Sequence, residues 1–137
     1  MAENESHVIK TGVIECSFDA ALGICTAGFA PGATVTMEDA RASTKALLEL
    51  QARHNEGAAA PLLVNFKGLK SLPKEVRDYY AGEPSHTKTY EAVAILVDSA
   101  LTRVIGNFFI GFNKADKPVR LFDEREPAIE WLVQFRR

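Results

Sequence analysis

The spacing of hydrophobic positions changes several times along the chain, and each change marks an element. Residues 11–18 contain GVIECSF and residues 23–29 read GICTAGF. Both runs suit strands, and the short DAAL link between them predicts a hairpin. Pro31-Gly32 marks a turn, and residues 34–36 are a candidate for a further short strand. The period then lengthens. Met37, Ala40, Thr44, Leu47 and Leu48 recur at helical spacing behind Thr36-Met37-Glu38-Asp39, which fits a capping box: a hydroxyl cap followed by an acid three residues on. This helix is predicted to fade at His54-Asn55, ahead of Gly57. LLVNF after Pro61 and AVAILV over residues 92–97 are continuous apolar runs, which predict buried strands.

Between those runs, Ser71 is the expected cap of a second helix, with Pro73 in the first turn, where a missing N–H does little harm. Val76, Tyr79 and Tyr80 give that helix an apolar side, Gly82 and Pro84 stop it, and EPSHTKTY reads as a polar connector. Ser99 is the expected cap of a third helix, residues 113–117 form a polar turn, and residues 118–122 form another short strand. Asp123 with Glu126, or Glu126 alone, starts a last helix bearing Ala128, Trp131, Leu132 and Phe135. Arg136-Arg137 follows it and suits its dipole. The order is a hairpin followed by alternating helices and strands. It predicts an α/β domain over residues 9–137, built on a sheet with a parallel portion, behind a flexible tail of residues 1–8.

The most distinctive stretch is RVIGNFFIGFN, residues 103–113, in which aromatic residues and glycines share one helix. At about 100° per residue, Leu101, Val104, Ile105, Phe108, Phe109 and Phe112 fall on one arc, the expected core face. The remaining side carries Arg103, Gly106, Asn107 and Ile110. Two readings of that side stand. Gly106 lets the helix lie close to its own sheet, or these residues form a surface for a second subunit, a protein partner or an apolar ligand, with the glycine permitting close approach.

Composition narrows the function classes. A chain of 137 residues is the length of one domain, and a net charge of -2 argues against a general nucleic-acid binder. No apolar run approaches the roughly 18 residues of a membrane span, and MAENESHVIK lacks a secretory pattern. A cytoplasmic location is expected. Cys16 and Cys25 make neither a disulfide framework nor a zinc site. They read as small strand residues, opposite each other if the hairpin is tight. His7, His54 and His86 fall in the tail, at a helix end and in the connector, and none neighbours a cysteine or serine in a catalytic motif. With no phosphate-binding glycine loop either, no catalytic residue, cofactor or metal is expected. Asp98 and Ser99 end a buried strand, where α/β sheets commonly place ligand contacts. They are the small-molecule candidates, with Tyr79 and Tyr80, and Tyr90 as well, on the same edge. Capping explains Ser99 without a ligand, and packing is the default for the tyrosines.

The succession VNFKGLKSLPKEVRDYY, EAVAILVDSALTRVIGNFFIGFNK and PVRLFDEREPAIEWL resembles a bacterial family of small STAS/SEC14-like proteins, also described as SpoIIAA-like. The likeness covers nearly all of residues 35–132. It implies a mixed β-sheet with helices mainly on one face, and it does not imply an enzyme. Antagonist-type members carry a phosphorylatable serine at the start of the helix after the central strand. Here Lys74 and Glu75 stand there, and Ser71 lies a few residues early, so a phosphorylation-switched anti-sigma-factor antagonist is the least favoured reading. The expected function is non-catalytic binding, by self-association as a homodimer or through a regulatory protein partner. The alternative is a carrier or sensor of an apolar small molecule or lipid, against which close packing of so small a core weighs.

Overall fold

A computed structural model of the chain describes residues 7–112 and 116–136. Most of the expected tail, part of the turn expected at residues 113–117, and Arg137 lie outside the described residues. The strands are β1 (Val8–Thr11), β2 (Ile14–Asp19), β3 (Ile24–Phe29), β4 (Ala60–Asn65), β5 (Tyr90–Leu96) and β6 (Val119–Phe122). They lie side by side in chain order in one six-stranded sheet. β1, β2 and β3 pair antiparallel, and β3 to β6 pair parallel. The helices are α1 (Met37–His54), α2 (Lys74–Gly82), α3 (Pro84–Thr87), α4 (Ala100–Gly111) and α5 (Arg125–Leu132), the last extended by a 3-10 turn, Val133–Phe135.

Alternation along the strands separates two cores. Ile14, Cys16 and Phe18 of β2, Cys25 and Ala27 of β3, and Val93 and Ile95 of β5 point to the face covered by α1, α2 and α4. Leu63, Ala94 and Leu96 point the other way, onto Ala128 and Leu132 of α5. Helices therefore lie mainly on one face, as expected. α1 anchors the larger core through Leu47 and Leu50, both essentially inaccessible. Burial of each such side chain stabilises the fold by roughly 1.5–3 kcal/mol. The capping box of α1 is present: Asp39 N–H donates to Thr36 Oγ1 at 3.1 Å, and Thr36 N–H donates to Asp39 Oδ2 at 3.1 Å.

Several local expectations need correction. β1 was not anticipated. It is a short edge strand that buries little, and its register is set by the two-residue turn at Gly12-Val13. Gly12 has φ +57°, and a side chain there would collide with the Asp39 carboxylate. Residues 34–36 form no strand; Thr34 makes an isolated bridge with Ser71. Ser71 does not cap α2, which starts behind Pro73 with no side-chain cap. α5 starts after Glu124, so Pro127 falls in the first turn, where no helical N–H is lost. The connector EPSHTKTY contains the single turn α3.

Candidate functional site

α4 packs on a different side from the one its phenylalanines suggest. Thr102, Ile105 and Gly106 are buried, and Phe109 leans on the larger core. Leu101, Val104 and Phe112, expected inside, are 48%, 66% and 58% exposed. Close approach to β6 causes the rotation: a Cβ on Gly106 would lie 2.6 Å from Leu121 Cδ2. Gly106 is thus part of the interior and cannot belong to an outer surface. Arg103, Asn107 and Ile110 are exposed. Arg103 pairs with Asp123 at 2.7 Å and ties α4 to the end of β6. Phe108 is half-buried and lies beneath the Arg77 guanidinium of α2, 5.0 Å from its ring centre.

A cavity of about 70 Å³ lies between the sheet and α1, α2, α3 and α4. Its floor is Ala27, Leu62, Val64, Val93 and Ile95, from the central strands, and its roof includes Leu47, Phe66 and Phe109. Tyr80 on α2 and Phe109 on α4 are half-buried lining residues. Among the described residues that line it, none is Asp, Glu, Lys or Arg. The polar groups are Ser43, Tyr80, His86 and Tyr90.

These polar groups belong to one buried cluster. Ser43 Oγ donates to the Ala40 carbonyl at 2.7 Å, so its single proton is committed, and Tyr80 O–H donates to Ser43 Oγ at 2.9 Å. Thr44 Oγ1 lies 2.8 Å from the Tyr79 hydroxyl and 3.0 Å from His86 Nδ1. His86 sits among Tyr79, Tyr80 and Tyr90, at ring-centre distances of 5.9, 4.7 and 5.8 Å. Burial lowers the His86 pKa from 6.5 to about 3, so the ring is neutral. Burial also raises the Tyr80 phenol well above its ordinary value. No described residue hydrogen-bonds His86 Nε2.

Sequence reasoning named Tyr79 and Tyr80 but missed His86, Ser43 and Thr44. A usable signal was present on α1, since Ser43 and Thr44 fall beside Ala40 and Leu47 on a core-facing stripe and buried hydroxyls need partners. Asp98 and Ser99 do not share an edge with the tyrosines. Tyr90 opens β5 and Asp98 follows its end, a separation of roughly 26 Å at the usual strand rise. Both are used locally. Ser99 Oγ accepts from Thr102 N at 3.1 Å as the cap of α4, and Asp98 Oδ2 accepts from Gly68 N at 3.2 Å.

Cys16 and Cys25 are free and buried. They are not opposite each other, because Cys16 pairs with Ala27 and Cys25 with Phe18. Burial raises their pKa values to about 12 and about 11. Among the described residues, no group of His, Cys, Asp and Glu side chains is placed to hold a metal ion, and no helix is long and apolar enough to cross a membrane. A larger hollow, about 520 Å³, lies on the other face of β1 to β3. It is open, and the hydroxyls of Ser17 and Thr26 that line it bond to each other.

A family model for a domain of unknown function, DUF7793, matches residues 18–136. None of the curated proteins matches the chain. Among solved structures, the chain is similar to an uncharacterised protein of the DUF3478 family with a SpoIIAA-like fold from Shewanella loihica PV-4. The TM-score is 0.59 at 19% sequence identity, over 91% of this chain and 90% of that one. The likeness extends to the fold, which is SpoIIAA-like as expected from the sequence.

Proposed function

The chain belongs to the DUF7793 family of domains of unknown function, and on that footing we propose that it is a non-catalytic binding domain whose ligand is a small apolar molecule held in the cavity above β3 to β5. The observation that carries this reading is a void roofed and floored by apolar side chains, with Ser43, Tyr80, His86 and Tyr90 as its few polar members. Apolar pockets with a few convergent polar groups are the usual small-molecule sites. The size sets a limit. A cavity of about 70 Å³ admits a small molecule or the end of a longer one, since a void of roughly 150 Å³ takes benzene. Turnover is not part of the reading: the Ser43 proton is committed to a carbonyl, and burial keeps both cysteines as thiols. We take the cytoplasm as its compartment, since two unpaired buried thiols suit a reducing one.

Native mass spectrometry of the protein purified from its own cells tests this reading. The expected result is a small non-covalent adduct on the wild type that is lost in Val64→Phe, which fills the cavity. A bare chain mass for the wild type counts against it.

A second reading, self-association, is favoured by the exposed apolar flank of α4. Leu101, Val104 and Phe112 lie along one side of that helix with half-buried Phe108 between them, and exposed stripes of this kind commonly mark contacts. The occupant on this reading is the same flank of a second copy. Light scattering is expected to give a dimer for the wild type and a monomer for Val104→Asp. A wild-type monomer removes this reading and leaves the cavity untouched.

A further inference from the structure

The hydrogen-bond inventory of the cavity restricts what enters it. Tyr80 gives its proton to Ser43, whose own proton is held by the Ala40 carbonyl. The phenol oxygen therefore offers only lone pairs. Thr44 Oγ1 donates to the Ala40 carbonyl at 3.2 Å, so His86 Nδ1–H donates to Thr44 and Nε2 carries a lone pair. The two rings lie 4.7 Å apart, centre to centre, on the same cavity. A group that only accepts, such as a carboxylate, offers nothing to the Tyr80 oxygen and meets no cation among the described lining residues. An ammonium can donate but meets no carboxylate there, and an unpaired charge in an apolar site is heavily disfavoured. A hydroxyl donates its one proton to the Tyr80 oxygen and carries no charge into the site.

We infer that the cavity selects small neutral molecules with an apolar body and a single hydroxyl, which donates to the Tyr80 phenol oxygen. The inference rests on the cavity being a ligand site, and its test separates failure of the one from failure of the other.

The probes are butan-1-ol, butylammonium and butanoate, which share one tail and differ in head charge. Methyl NMR of the full chain at pH 7 reports binding at Leu62, Val93 and Ile95, which line the cavity. Leu63 and Leu96, on the opposite face of the same strands, serve as controls. Butan-1-ol is expected to shift the lining methyls saturably and leave the controls still, with each ion at least about 10-fold weaker. Tyr80→Phe is expected to weaken butan-1-ol by about 2- to 10-fold, the usual range for one hydrogen bond. Ser43→Ala keeps the phenol and frees its proton for an acceptor, and is expected to narrow the preference for butan-1-ol over butanoate. Equal or stronger binding of either ion to the wild type, or an unchanged butan-1-ol affinity in Tyr80→Phe, overturns the inference while the cavity remains a ligand site. No saturable shift with any of the three probes overturns the ligand site itself.

Discussion

His86 is neutral at pH 7 because burial opposes its charged form, lowering its pKa from 6.5 to about 3. The unfolded chain takes up a proton at this residue as the pH falls below 6.5, and the native protein does not until near pH 3. The stability associated with the neutral ring is therefore complete above pH 6.5 and is lost as the pH falls from 6.5 toward 3, by about 1.4 kcal/mol per pH unit once the unfolded residue is protonated. Urea unfolding of wild type and His86→Gln between pH 7 and pH 4 checks this; the variant is expected to show a shallower acid loss by about one proton. Parallel pH profiles would show that His86 is not held neutral. The cysteines make a second expectation. With pKa values raised to about 12 and about 11, Cys16 and Cys25 should resist iodoacetamide at pH 8 in the native protein and react only after unfolding. Neither residue environment was legible in the sequence. His86 lies in EPSHTKTY, where its neighbours are polar. Its burial comes from contacts with Thr44 and Tyr80, which are distant in the chain.

α4 is the element in which pattern and packing diverge. The wheel places its core face on the phenylalanine arc. The buried set Thr102, Ile105, Gly106 and Phe109 is centred roughly 80° away, at 100° per residue. A hydrophobic wheel weighs side-chain size, but a helix lying tightly against β6 needs small residues at the contact, and Gly106 supplies that opposite Leu121. Gly106→Leu is expected to cost about 1–3 kcal/mol through overpacking. Val104→Asp on the exposed flank should stay within about 0.5 kcal/mol of wild type. Urea melts of the two variants distinguish the sides; the reverse ranking would return Val104 to the core. Elements specified by local chemistry were read correctly. Thr36 and Ser99 cap α1 and α4, because a hydroxyl and its partner three residues on carry their own signal. Ser71 had the same appearance, but bridging with Thr34 claims its backbone, and that long-range pairing leaves no local trace.

For the molecule as a whole, the topology follows from the order of hydrophobic runs. Continuous runs became the parallel strands β4 and β5, and the hairpin became β2 and β3. The cavity was not legible, because a void is defined by what several elements fail to fill together: α1, α2 and α4 over the middle of the sheet. Two hydrophobic layers flank the sheet, and the smaller, under α5, serves packing. Filling the void should therefore stabilise the fold while competing with ligand. Val64→Ile is expected to gain about 0.5 kcal/mol, at the low end for a cavity-filling change, as read by urea unfolding; a loss would mean that the space is already occupied. The most direct measurement on the cavity is a crystal structure of the chain under xenon pressure. Xenon enters dry apolar cavities without needing a hydrogen bond, so it reports the void independently of ligand chemistry. The expected result is xenon density between Leu62, Val93 and Phe109, beside the His86 ring. Density only along the exposed flank of α4, or none within the chain, would contradict the cavity as the binding site.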